Sequence, residues 1–406
     1  MTDGLRTTDR LTRFAELVVR VGVNVQPGQG VVVNADLEQA EVARAVVEQA
    51  YVAGAAWVEV LWTDGLVRRS ELVHATVDTL TTDRPWVLQR TREWVEAGIA
   101  TIALTGTPDP ALVAGIEPAK LTAVRQGEVT ARMQAAMGNH WRWTVVAAPN
   151  PIWAQQIYGE PDVERLWTEV GQAMRLDEAD PVAAWRDRSA TLAARALALD
   201  ALQISELRYS GDGTDLTVGL IRGHRWTGGS VTDKAGITAM PNIPTEEVFT
   251  SPDRRRADGV LRVTKPVVIG GQLVEGLRLT FEAGRITDVS ADVGADVALG
   301  QLDSDEGARS LGEVALVDRD SRVARTGTVF HNTLFDENAG AHVAWGQSFP
   351  FAVVGGLELS PDERFAAGLN SARVHTDVVV GGDGLTVTAT TAGGNVDLLV
   401  DDEWVL

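Results

Sequence analysis

Pro27–Trp62, PGQGVVVNADLEQAEVARAVVEQAYVAGAAWVEVLW, carries the pattern that decides the class of the first half of the chain. A glycine-containing turn leads into Val31–Val33, a β-branched run suited to a short buried strand. Glu38–Gly54 then reads as an amphipathic helix and Ala55–Trp62 as a second strand. Strand, helix, strand is the βαβ unit, whose crossover helix brings the two strands parallel.

The same alternation continues on both sides. Arg10–Gly22 sets Leu11, Phe14, Leu17, Val18 and Val21 at helical spacing. Pro85–Gly98 reads as a helix, Ile99–Gly106 and Trp141–Pro149 as strands, and Pro161–Met174 and Val182–Leu202 as further helices. Near residue 200 the texture changes to short alternating runs with glycine-rich turns, in Ser205–Ile221, Gly276–Ala291 and Val378–Val400, which read as antiparallel hairpins. The chain is therefore expected to join an α/β N-terminal domain with a mainly parallel sheet, residues 1–197, to a β-rich α+β C-terminal domain, residues 198–406.

Composition narrows the chemistry. With no cysteine, disulfides, thiolate zinc sites and cysteine nucleophiles are excluded, so any metal must be held by histidine and carboxylates. A net charge of −20 argues against nucleic-acid or anionic-membrane partners, which would be repelled over most of the surface. The opening MTDGLRTTDRLTRFAELVV lacks a basic leader and a continuous apolar core, and no long apolar run follows, so a cytoplasmic location is expected. Neither G-x-G-x-x-G nor a Walker-type phosphate loop occurs, which speaks against a dinucleotide site.

The candidate ligands all fall in the second half. Phe330–Gly346, FHNTLFDENAGAHVAWG, holds two of the six histidines beside acids, and no Lys or Arg lies between Arg325 and Arg364. A buried carboxylate costs several kcal/mol unless something positive or hydrogen-donating compensates it, and a metal ion is one such group. Glu337 and His342 would stand roughly 140° apart on one helix. If Asn338 caps a helix beginning at Ala339, the two can instead converge. His375 and Asp377 alternate onto one face of an expected strand, which suits a shared metal, a histidine oriented by a carboxylate, or simply a solvated face. Glu313 interrupts an otherwise apolar strand, and of the adjacent Glu246 and Glu247 only one can point into a given site. Two histidines with several acids and no cysteine form a donor set for one or two divalent cations such as Zn, Co or Mn.

NIPTEEVFTSP, LGEVALV, FHNTLFDENAGAHVAWG and NSARVHTD, in that order, resemble the successive motifs of the aminopeptidase T family of metallopeptidases, and VQPGQGVVV resembles its N-terminal pattern. The resemblance implies a two-domain homodimer that releases N-terminal residues from peptides with a free N-terminus, using water activated by two divalent metal ions. Carried over motif by motif, the implied metal ligands are Glu247, Glu313, Glu337, His342, His375 and Asp377. Glu313 would bridge the metals, and Glu247 or Glu337 would be the general base. Glu246, Asp336 and His331 match no ligand position. One departure stands out: where the family has tyrosine seven residues after the ligand histidine, this chain has Phe349. The lost hydroxyl leaves His331 and Ser348 as candidate replacements. It also motivates a competing reading as a catalytically weakened relative that binds metal and peptide; a nucleotide-binding or regulatory α/β protein is the other alternative.

Overall fold

The computed structural model describes residues 7–106, 109–121, 123–137, 141–382 and 384–406, so the first six residues of the opening stretch lie outside the described residues. The chain forms two compact units, one of Met1–Arg186 with Ser230–Ile243 and one of Asp187–Gly229 with Pro244–Leu406.

In the first unit the expected strand is Gly30–Asp36, with Val31, Val32 and Val33 fully buried. It is sandwiched in register between Trp57–Thr63 and Ala100–Thr105, and both pairings are parallel. The crossover helix Ala40–Val52 buries Val42, Ala43, Val46 and Ala50, the stripe that its spacing sets out. Trp143–Ala147 and then Asn242–Ile243 extend the sheet, again in parallel. That last strand is only two residues long and comes later in the chain than the long helix Pro181–Leu202.

The second unit contains two antiparallel sheets of eight and four strands. Glu206–Gly211 and Thr214–Leu220 form one expected hairpin, and Arg278–Glu282 with Arg285–Ser290 another. The stretch Val378–Val400 contains its expected hairpin but is divided between the two sheets. Thr386–Thr391 turns into Gly394–Val400 in the larger sheet, while His375–Val379 belongs to the smaller one. The smaller sheet runs Glu247–Thr250, Leu311–Val317, His342–Gly346, His375–Val379. One face of it presents Val248, Val314, Leu316, Val343, Trp345 and Val378 to a core shared with Leu207, Tyr209, Val218 and Phe281 of the larger sheet and Leu192 and Leu199 of the long helix. Strand alternation then turns every other residue of those four strands to the opposite face.

Candidate metal centre

Directly opposed residues of antiparallel strands share a face. Ala315 lies opposite both Phe249 and His342, Ala344 opposite both Glu313 and Asp377, and Gly346 opposite His375. Glu247, two residues before Phe249, has the same orientation. Five of the six expected ligands, Glu247, Glu313, His342, His375 and Asp377, therefore project together from the face turned away from the core. Between them stand Ala315, Ala344 and Gly346, which are small enough to leave room above the sheet. A register shift between Leu311 and Glu313 brings Gly312 so close to its neighbour that a Cβ there would meet the Gln347 carbonyl oxygen at 2.4 Å. Only glycine fits that position.

His342 Nε2 is 2.9 Å from Glu247 Oε2 and 3.8 Å from Glu313 Oε1. His375 Nε2 is 3.2 Å from Glu313 Oε2 and 3.4 Å from Asp377 Oδ1. Each Nδ1 meets a backbone carbonyl, that of Gly340 at 3.2 Å for His342 and that of Gln347 at 2.8 Å for His375. A carbonyl only accepts, so both Nδ1 atoms carry protons, and in the neutral form of each ring the Nε2 lone pair faces the carboxylates. Lone pairs facing each other at these distances repel unless a proton or a metal cation lies between them. Glu247 Oε2 is buried and receives no directed hydrogen bond despite the nearby ring. This donor set fits divalent cations. The ligand atoms fall into two groups, Glu247–Glu313–His342 and Glu313–His375–Asp377, each within 4.8 Å and sharing Glu313.

The electrostatics report the same tension. Burial pushes Glu313 up to about 7 against the pull of the His375 hydrogen bond. Burial opposes charge on His342, yet the adjoining Glu247 carboxylate, with Asp377 and Glu313, outweighs it and raises the ring to about 10. His375 is likewise raised by Asp377 and Glu313 against burial, and Asp377 is lowered by His375 despite its burial.

Glu337 stands outside both groups. It follows the short helix Thr333–Asp336 on a 3₁₀ turn, Glu337–Ala339, and keeps part of its surface open to a pocket lined also by His331, Asp336 and Asp377. Burial, with the charges of Asp377 and Glu247, raises its carboxyl well above the ordinary range. The expected helix starting at Ala339 is thus corrected, since His342 opens a strand. Asn338 is committed elsewhere: its side chain accepts the Glu246 N–H at 2.6 Å and donates to the Leu334 carbonyl at 3.0 Å. This fully buried amide, read from the sequence only as a candidate helix cap, ties the Glu337 turn to the strand of Glu247.

The remaining candidates separate cleanly. Glu246 turns away from Glu247 and pairs with Arg188 at 2.7 Å. Asp336 accepts the N–H groups of Phe330 at 2.7 Å and Asn332 at 3.0 Å, which holds its own loop. Ser348 is fully buried and accepts the Asn370 N–H at 2.9 Å. The ring of Phe349 lies 5.0 Å from that of His375. Its neighbours Phe249 and Phe351 were not singled out either, although the two-residue step from Glu247 to Phe249 was a readable signal. A depression on the larger sheet, by Arg208, Asp215 and Thr388, is lined by exposed polar groups such as the Arg208–Asp215 pair and lies apart from both ligand groups.

Residues 7–403 match the family model described as thermophilic metalloprotease, M29. Aminopeptidase T of Thermus aquaticus is 39% identical over 98% of this chain and 99% of its own length. Aminopeptidase PepS of Streptococcus thermophilus is 37% identical over 98% of each. Among solved structures, wild-type AmpT from Thermus thermophilus superposes with a TM-score of 0.91 at 35% identity, covering 99% of this chain and 100% of that one.

Proposed function

The chain belongs to the thermophilic metalloprotease family M29, and from that premise we propose that it is a metallo-aminopeptidase acting on peptides with a free N-terminus. In this reading two divalent cations are held by Glu247, Glu313, Glu337, His342, His375 and Asp377. The observation that carries it is the pair of ligand groups joined at Glu313, whose two carboxylate oxygens already face different histidines. Charge agrees with the number: the four carboxylates Glu247, Glu313, Glu337 and Asp377 balance two doubly charged ions. Bound there, such ions supply Lewis acidity, acidifying a water and polarising a peptide carbonyl.

The protein's own groups do the rest. Glu313, shared by both groups, would hold the two ions together, and the Nδ1–H bonds of His342 and His375 fix the orientation of both imidazoles. Glu337, outside both groups and open to the pocket, is better placed than Glu247 to take a proton from the attacking water and pass it to the leaving amine. Phe349 contributes no donor for the developing oxyanion. Ser348 is fully buried against the Asn370 backbone, whereas His331 lines the pocket and is the better-placed candidate. Phe349 also favours a second reading, a relative that binds metal and peptide but turns over slowly.

The proposal includes a homodimer, a cytoplasmic location, and Zn, Co or Mn as the ions. Elemental analysis of protein purified without chelator is expected to give two divalent ions per chain, and Glu313→Gln to lose both. Cleavage should require a free α-amine. Full stoichiometry in Glu313→Gln would remove the bridging assignment, and equal turnover of N-acetylated peptides would remove the aminopeptidase assignment.

A further inference from the structure

Three phenylalanines stand together beside His375. Strand alternation puts Phe249 on the ligand-bearing face, two residues from Glu247. The Phe349 ring lies 5.0 Å from His375, 5.4 Å from Phe249 and 5.3 Å from Phe351, and Phe351 is 6.2 Å from Phe249. All three rings are only half-buried, and 26% of the His375 side chain is also exposed, so the uncovered apolar surface adjoins a ligand. Where relatives of the resembled pattern carry a phenol, Phe349 completes a wall with no polar atom in it. The pocket beside Glu337 differs in carrying ionisable groups: Glu337, Asp377, Asp336 and His331 line it together with Pro266 and three valines. The N-terminal residue of a peptide offers both complements on one carbon, an ammonium and a side chain.

Resting on the aminopeptidase reading above, we propose that Phe249, Phe349 and Phe351 receive the side chain of the substrate's first residue, so that the preferred substrates are peptides beginning with a bulky apolar or aromatic residue. The ammonium group then turns toward Glu337 and Asp377. The three rings already meet in edge-on and tilted arrangements, and a fourth ring or a branched aliphatic chain continues that packing. An acidic side chain would lose its water against the rings and find no partner, and glycine would leave the wall uncovered.

The test measures kcat/KM for leucyl, phenylalanyl, alanyl, glycyl and glutamyl p-nitroanilides with cobalt-loaded protein, and calorimetric binding of free leucine, phenylalanine and glycine, which needs no turnover. Leucyl and phenylalanyl substrates should exceed glycyl by roughly a hundredfold, with the same order in binding. Phe351→Ala should lower the leucyl-to-glycyl ratio roughly tenfold at unchanged metal content, and Phe351→Leu should restore most of it, which separates lost contact from misfolding. A flat or reversed preference, or a ratio untouched in Phe351→Ala, would overturn this inference while leaving the aminopeptidase reading in place. Failure to cleave any free-amine substrate would overturn that reading and the inference with it.

Discussion

Phe349 sets a bare ring where a phenol would reach toward the ligands, 5.0 Å from the ring of His375. Losing one oxyanion donor typically costs about 3 kcal/mol, roughly a hundredfold in rate. Phe349→Tyr is therefore expected to raise kcat on a small aminoacyl substrate without changing metal content, and His331→Ala to lower it. If neither variant moves kcat, no donor is missing or replaced here. Protonation gives a second expectation. Without cations, burial holds the Glu313 proton up to about 7, and Glu337 is raised in the same direction. His342, raised to about 10 through Glu247, also holds an extra proton. Cations bind the deprotonated forms, so loading must expel protons, and affinity must rise with pH and weaken as pH falls through about 7. Calorimetric titration in buffers of different ionisation enthalpy reads this directly, and metal uptake without proton release would contradict it.

The smaller sheet explains which parts of the site could be read in advance. His375 and Asp377 are two apart on one strand, and the adjacent Glu246 and Glu247 must diverge; both follow from the period of two alone. The meeting of four strands is long-range register, which no local pattern encodes. Asn338 shows where local reasoning fails. An asparagine before small residues is a reasonable helix cap, but its partner is the N–H of Glu246, distant in sequence, and the helix it seemed to start is absent. The alanines between the ligands were equally silent, because a small residue in a strand signals nothing until its neighbours are known. Ala344, fully buried between Glu313 and Asp377, makes that testable. Ala344→Leu should fill the space above the sheet and abolish cation binding while far-ultraviolet circular dichroism stays native. Retained stoichiometry would show that the cations sit elsewhere.

Across the whole molecule, the βαβ alternation and the later hairpins foretold an α/β unit and a strand-rich one, both now seen. The return of Asn242–Ile243 to the parallel sheet was beyond reach, since two residues cannot display a period. Among the described residues no helix is long and apolar enough to cross a membrane. The second unit packs two sheets back to back and keeps three carboxylates on the face turned away from that core, with Glu337 beside them on its turn, so its stability should depend on the cations proposed to balance them. A cation at a thousandfold its dissociation constant stabilises a folded protein by about 4 kcal/mol. Chelation is expected to lower the melting temperature, and re-addition of metal to restore it; indifference to both would mean that the folded protein gains nothing from binding. The ligands also differ in how firmly the backbone holds them. Glu247, Glu313, His342, His375 and Asp377 ride on one ladder of strand hydrogen bonds, whereas Glu337 hangs on a short turn joined to the ladder through Asn338. Amide hydrogen exchange should accordingly be slowest along the four strands and faster around Glu337. On the proposed reading, opening of that turn with the sheet left intact is the motion expected to let an ion or a product escape.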